Sequence, residues 1–287
     1  MLTTTAQGRT WNFSYALGRN AAAGNGFTQP ISVATGHNNV LYVLSRGAEG
    51  SDGRPLPNTR IGKMTMDHEF IGDMGQGDLT WPVDLAVDSN GILFCSDEHL
   101  NTIFMYGEDG DLMGQWGIKG QDEGEFDGPC GIAFNSEERL YVVDSGNCRI
   151  GIFTTDGEFV DQWGSRGSGK GQFIDPWGIT VDSSGNVYVA DWGNKRVQIF
   201  ESDGNILASL SGDASELSKA QEYVITRDNA KQSFAMNTNH HAVTNMGRFG
   251  RVTGIEVTTD DRIIATDSRG RLQVYDKDKQ FVLIPPP

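Results

Sequence analysis

Cysteine, basic residues and long apolar runs are all scarce in this sequence, and each shortage narrows what the chain can be. The three cysteines, Cys95, Cys130 and Cys148, are odd in number and lack C-x-x-C spacing, which favours free thiols in a reducing compartment over a disulfide framework. No run approaches the ~20 apolar residues of a membrane span, and no signal-peptide pattern opens the chain. We therefore expect a cytoplasmic protein without a membrane partner.

Positive charge is also in short supply. The chain has 23 lysines and arginines against 38 aspartates and glutamates, a formal net charge of −15. Recognition of a nucleic-acid backbone needs a basic face. The composition therefore predicts no nucleic-acid partner.

Glycine, in contrast, is abundant, and its positions reveal a repeated unit. It supplies 37 of 287 residues, about 13% against a typical ~7%. In the stretch 164–212, two β-branched runs at 179–181 and 187–190 flank Asp-Ser-Ser-Gly-Asn, a turn-forming sequence. An alternating run at 196–200 follows, and Ser-Asp-Gly leads from it into a fourth run. The pattern predicts one small sheet of four antiparallel strands.

This unit recurs along the chain with a fixed period. Pro82, Pro129 and Pro176 mark the same position in three copies, each 47 residues after the one before. Four strands per unit at this period are the signature of a β-propeller, whose sheets, or blades, pack around an axis. We therefore predict a single all-β domain over residues 1–287.

The residues of the unit also carry a family resemblance. The pattern F-x-x-P-W-G-I-x-V-D-x-x-G-x-V-Y-V-A-D-x-x-N-x-R-V-Q-I-F at 173–200 resembles the NHL repeat. The resemblance implies a propeller that usually has six blades. It also implies a short range of functions, because NHL propellers include protein-binding and RNA-binding modules and a few lyases.

The number of blades depends on one irregular stretch. Val252 occupies the proline position of the last unit, 76 residues after Pro176 and so 29 more than one period. We favour six blades, with a degenerate fifth blade in the insertion at 213–251; the alternative is five blades with a mostly helical insertion. The stretch 11–18 resembles the fourth strands, and we predict that it closes the last blade and so removes exposed sheet edges.

The start of strand one and the loop after strand two share a face of a propeller, here called the rim, where residues of different blades converge. Four aspartates recur at the end of strand two, and their repetition predicts a structural role in binding backbone N–H groups: Asp97, Asp144, Asp191 and Asp267. The longer loop at 45–60 of the first blade is interpreted as a surface insertion or as a lid.

Departures from the repeat indicate candidate chemistry. Asp84 stands where the next two blades have glycine, and Glu98 and His99 replace the Ser-Gly or Trp-Gly that follows the recurring aspartate in those blades. A carboxylate near the axis is a candidate metal ligand or general base. The alternative is that Asp84 is a solvated loop residue.

Histidines suggest a metal site on the same rim. His99, His240 and His241 form a three-imidazole set of the kind that binds zinc or a similar divalent ion. The alternative is that these are exposed loop histidines. No other cofactor is predicted.

Aromatic and cationic residues also fall at or near the rim. Trp81, Trp177 and Trp192 come from separate blades, and Arg46 and Arg269 occupy matching loops. Such a set suits a planar or anionic small organic ligand. Alternatively, the tryptophans pack between neighbouring blades.

Cys130 lies beside the variable glycine position at the start of strand one, where it could contact a ligand. As a nucleophile it would need a neighbouring base, which the sequence does not identify. The favoured interpretation is a small buried apolar residue.

Two functions remain. The first is a metal-assisted lyase or hydrolase acting on a small molecule at the mouth of the channel, with the three histidines as ligands. Asp84 or Glu98 would be its base, and Arg46 or Arg269 would hold an anionic group. The NHL resemblance extends to lyases that release an amide from a hydroxyglycine and, more loosely, to propeller lactonases. The second is a non-catalytic module that binds a protein or small-molecule partner.

Overall fold

The computed structural model describes residues 3–6, 9–12, 24, 26–47, 58–67, 69–212, 248–268 and 271–276. These residues form 23 strands joined by turns. Within these ranges there is no helix, and therefore none that could cross a membrane. The prediction of an all-β protein is confirmed.

The described chain starts with a hairpin. It consists of β1 (Thr3–Ala6) and β2 (Arg9–Asn12), which pair antiparallel. The closing strand predicted at 11–18 overlaps this hairpin only at Trp11 and Asn12, which pair with Thr4 and Thr3. Residues 13–18 lie outside the described residues, so closure by this segment stays a prediction.

Four antiparallel four-stranded blades follow in chain order. The first is β3 (Pro30–Thr35), β4 (Val40–Ser45), β5 (Arg60–Thr65) and β6 (Phe70–Met74). The second is β7 (Pro82–Val87), β8 (Leu93–Asp97), β9 (Thr102–Tyr106) and β10 (Leu112–Trp116). The third is β11 (Pro129–Phe134), β12 (Leu140–Asp144), β13 (Arg149–Phe153) and β14 (Phe159–Trp163).

A short parallel pair, β15 (Ser165–Arg166) and β16 (Gln172–Phe173), connects the third blade to the fourth. The fourth blade is β17 (Pro176–Val181), β18 (Val187–Asp191), β19 (Arg196–Phe200) and β20 (Ile206–Leu210). The fifth has three described strands, β21 (Val252–Val257), β22 (Arg262–Asp267) and β23 (Arg271–Asp276).

The five blades are arranged as a propeller, with their first strands adjacent in chain order. Because β17 contacts β21 directly, no blade lies between the fourth and fifth described blades. The favoured count of six is therefore corrected to five in the described part of the chain, since the degenerate blade was expected at that position. Residues 213–247 lie outside this part, and the helical insertion of the alternative stays untested.

Apolar side chains fill the interfaces between neighbouring blades. Tyr188 and Val197 of the fourth blade form one buried cluster with Val252 and Ile263 of the fifth. Full burial of one such side chain contributes roughly 1.5–3 kcal/mol, so these contacts hold the blades together. At the free end of the described series, Val33 of β3 stays 61% exposed, and this face of the first blade is uncovered.

A buried polar clamp repeats in the third and fourth blades. Asp144, at the end of β12, accepts hydrogen bonds from the backbone N–H of Asp127 at 2.7 Å, Asn147 Nδ2 at 2.7 Å and Arg149 Nε at 2.8 Å. Arg149 also donates to three carbonyls in the loop 121–125 that connects the second and third blades. The clamp therefore joins the loop before strand one, residues 121–127, to the turn between strands two and three, residues 144–149.

The fourth blade repeats this clamp with Asp191, Asn194 and Arg196. Asp191 accepts from the N–H of Ile174 at 3.0 Å and from Arg196 Nε at 2.7 Å, while Arg196 donates to carbonyls of the preceding loop. Asp267 likewise accepts from the N–H of Gly250 at 2.7 Å. The structural interpretation of the recurring aspartates agrees with these contacts.

We predict that Arg149→Gln lowers the free energy of unfolding by about 3–5 kcal/mol, because it leaves the buried Asp144 carboxylate without its cation. Urea denaturation measures this change. The matched control is Lys119→Gln, which removes an exposed ion pair to Asp127 and should cost ~0–1 kcal/mol. Equal losses in the two variants would contradict a clamp role for Arg149.

Candidate functional site

A pocket of about 450 Å³ opens on the rim among the third, fourth and fifth blades. It is lined by Ser145, Asp175, Trp177, Trp192 and Thr253. Ser145 and Trp192 follow second strands, whereas the other three flank or begin first strands. The fold thus brings together two of the three predicted rim tryptophans.

Local backbone constraints position these residues. A Cβ at Gly131 would lie 2.6 Å from the carbonyl oxygen of Trp177, so only glycine allows β11 to approach β17 this closely. Asp191, just before Trp192, holds the N–H of Ile174, just before Asp175. Two pocket-lining segments are therefore tied together by the buried clamp.

The sequence interpretation missed Arg251, which stacks on Trp192. Its Cζ lies 3.9 Å from the ring centroid, within the range of a cation–π contact. Ser268 fixes its backbone: the Arg251 N–H donates to Ser268 Oγ at 3.1 Å, and the Ser268 N–H donates to the Arg251 carbonyl at 2.8 Å. The sequence did contain a signal for Arg251: it lies immediately before β21, the same position that the predicted rim residue Trp81 occupies before β7.

Trp81 and Arg46 form an equivalent stack between the first and second blades. Arg46 Cζ lies 4.4 Å from the Trp81 ring centroid, and Arg46 Nη2 donates to Glu98 Oε1. The Glu98 N–H donates to the Trp81 carbonyl at 3.1 Å. Three predicted site residues thus form one cluster, and Trp81 lies in this stack between blades rather than in the pocket.

Cys130 is fully buried in the core between the third and fourth blades. Its Sγ donates to the Gly128 carbonyl at 3.4 Å. Burial raises the pKa of the Cys130 thiol, and the nearby charge of Glu98 raises it further. A thiol that stays protonated at neutral pH fits the buried small residue and not a nucleophile or a ligand contact.

Asp84 is hydrogen-bonded on both carboxylate oxygens rather than solvated. It accepts from Ser32 Oγ at 2.6 Å, the Leu85 N–H at 2.9 Å and the Ile132 N–H at 3.1 Å. Burial raises the pKa of Asp84, although these bonds oppose the rise. Because Ser32 and Ile132 belong to the first and third blades, Asp84 links three blades, and this structural role replaces the solvated-loop interpretation.

The predicted metal site cannot be assembled from the described residues. His99 is exposed, and its N–H donates to Asp97 Oδ1 at 3.1 Å. In the described ranges, no group of three or more histidine, cysteine or acidic side chains could hold an ion. His240 and His241 lie outside these ranges, as does Arg269, so the three-histidine site and the role of Arg269 stay predictions.

Comparison with known proteins supports the fold. The family model described as the NHL repeat matches residues 126–153 and 173–200, whereas no curated protein sequence matches the chain significantly. A virginiamycin B lyase from Staphylococcus aureus superposes with a TM-score of 0.53 at 14% identity, covering 91% of this chain and 72% of the lyase.

Two further solved structures are similar to this chain. A gluconolactonase from Xanthomonas campestris gives a TM-score of 0.54 at 18% identity, covering 88% of this chain and 72% of its own. A chain of the nidogen/laminin complex gives a TM-score of 0.59 at 16% identity, covering 88% of this chain and 77% of its own. At these identities the similarity establishes the fold alone.

We predict that Asp84→Asn gains stability relative to the wild type as the pH rises. The raised pKa means that the folded protein binds the Asp84 proton more tightly than the unfolded chain does, and this tighter binding stabilises the folded wild type. The stabilisation is complete below about pH 3.8 and is lost as the pH rises through the folded pKa of Asp84. Asparagine cannot titrate. Urea denaturation of both proteins from pH 3.5 upwards measures the difference, and a constant difference across that range would contradict the prediction.

Proposed function

We propose that this NHL-repeat β-propeller binds a small planar organic molecule in the rim pocket. The observation that carries the proposal is the convergence of Trp177 and Trp192 on one cavity of about 450 Å³. Ligand sites in proteins are typically 300–1,000 Å³ and are lined by aromatic side chains with a few polar groups. The pocket has this size and this chemistry.

The lining residues divide into two kinds of contact. The tryptophan rings offer broad apolar surfaces on which a flat ligand stacks. Ser145 and Thr253 offer hydroxyl groups, and Asp175 offers a carboxylate, all of which orient a ligand through hydrogen bonds. Small-molecule binding has a precedent in this fold, since one structure of the S. aureus virginiamycin B lyase contains quinupristin.

Lyase or hydrolase activity is the second candidate function. It is favoured by the ion pair of Arg46 and Glu98, which lies on the pocket's face of the propeller, one blade before Ser145. Glu98 would accept a proton from the substrate, and Arg46 would hold an anionic group. The virginiamycin B lyase and the gluconolactonase support this class at the level of fold.

Protein binding is the alternative to both. The nidogen/laminin match belongs to a protein complex of the same fold. The described rim, however, presents a concave pocket that contains two tryptophans, and a concave aromatic site suits a small ligand better than it suits a protein partner. A small-molecule ligand is therefore the conclusion we adopt.

Binding of a neutral planar probe, naphthalene-2-methanol, tests the proposed function. Isothermal titration calorimetry should detect binding at millimolar or lower concentration, and Trp192→Ala should weaken it at least tenfold because the stacking surface is lost. Trp192→Phe keeps an aromatic ring, so its affinity for the probe should remain within about threefold of the wild-type value. The control is Trp81→Phe, an equivalent rim change outside the pocket. The proposal would be overturned if the wild type bound neither this alcohol nor its charged analogues 2-naphthoate and naphthalen-2-ylmethylammonium, or if the control weakened binding equally.

A screen of aldonolactones and simple esters tests the second candidate. If Glu98 is the base, Glu98→Gln should lower kcat by about 10²–10⁴-fold while leaving probe binding in the pocket unchanged. The matched control is Glu137→Gln, an exposed glutamate in the turn between β11 and β12. Wild-type turnover no faster than the uncatalysed rate, or an unaffected Glu98→Gln, would exclude this candidate for the substrates tested.

A further inference from the structure

We infer that the pocket selects planar anions and that Arg251 sets this preference. The inference rests on the proposed function, because it concerns the charge of the ligand that stacks in the same pocket. It follows from comparing the two arginine–tryptophan stacks of the rim, which occupy equivalent positions between neighbouring blades.

The two stacks are related by an exchange of residues. Between the first and second blades, Arg46 follows strand two and Trp81 precedes strand one of the next blade. Between the fourth and fifth blades, Trp192 follows strand two and Arg251 precedes strand one. Both junctions thus contain an arginine stacked on a tryptophan, but the two residues occupy opposite positions in the two junctions.

The stacks differ in how the positive charge is compensated. Arg46 is paired with Glu98, and both side chains are half-buried, at 22% and 24% exposure. Arg251 is exposed, and among the described residues its guanidinium makes no ion pair or hydrogen bond. One guanidinium is therefore neutralised within the protein, while the other remains available to a ligand.

Arg251 is held at the edge of the pocket on two sides. Its guanidinium rests on Trp192, which lines the pocket, and Thr253, two residues along β21, lines it as well. Stacking on tryptophan leaves the in-plane N–H groups of a guanidinium free, and these form a fork that matches a carboxylate. A flat ligand in the pocket can therefore present an anionic group to Arg251.

Asp175 limits the class of ligand further. Among the described residues that line the pocket it is the one carboxylate, and it is exposed. A ligand with negative charge at both ends would be repelled by it, whereas a monoanion with a hydrogen-bond donor at its other end satisfies Arg251 and Asp175 together. The structure thus favours an aromatic monocarboxylate over a dianion.

Three probes that share one ring system test the inference by isothermal titration calorimetry: 2-naphthoate, naphthalene-2-methanol and naphthalen-2-ylmethylammonium. The wild type should bind 2-naphthoate at least tenfold more tightly than the neutral alcohol, and the cation most weakly. Arg251→Gln should bind the anion no more tightly than the neutral alcohol, and its affinity for the alcohol should stay within threefold of the wild-type value. Asp175→Asn should strengthen 2-naphthoate binding by a few-fold.

Arg139→Gln is the control, because it removes a guanidinium from the turn between β11 and β12, away from the pocket and the rim, and should leave the charge preference unchanged. Equal wild-type affinities for anion and alcohol, a preference for the cation, or an anion preference that survives Arg251→Gln would overturn the inference and leave the proposed function standing. Absence of binding by all three probes would instead overturn the proposed function.

Discussion

The buried carboxylate that ends the second strand is the interaction on which the rim depends. In the third and fourth blades, Asp144 and Asp191 each bind the backbone just before strand one and the arginine that begins strand three. A buried carboxylate is stable only when its oxygens are fully bonded, so the surrounding backbone must adopt one geometry. The residues next to it are then free to vary in chemistry without a change of fold, which allows a repeated scaffold to carry a specific site.

The positions next to this carboxylate show that freedom. The residue after strand two is Arg46, Glu98, Ser145 or Trp192 in successive blades, and these side chains form an ion pair, line the pocket or carry a stacked cation. None of these residues is needed for the clamp itself. The rim can therefore be understood as one fixed frame with a different side chain at each blade, and function is determined by which neighbours face each other.

The sequence predicted those features that depend on local pattern. The 47-residue period, the turns and the alternation of strands specified an all-β propeller, and the repeat placed Trp177 and Trp192 on one face. Features that depend on contacts between blades were not accessible. Asp84 receives its partners from residues 52 and 48 positions away, and the direct contact of β17 with β21 follows from packing that no period reveals. Arg251 was not predicted because its equivalent in the second blade is a tryptophan, so the repeat gave no reason to expect a cation there. The stack nevertheless forms, because its arginine and tryptophan have exchanged positions.

The overall charge of the chain sharpens the argument for a local cation. With a net charge of −15, the protein repels anions at long range, but at physiological ionic strength this repulsion is largely screened beyond about 8 Å. Within that distance, nearby charged groups determine the field in the pocket, and Arg251 and Asp175 are two such groups. Arg46 differs from Arg251 in this respect, because its charge is partly offset by the paired carboxylate of Glu98. An acidic protein can thus select an anion, provided that one guanidinium is held on an aromatic ring without a carboxylate of its own.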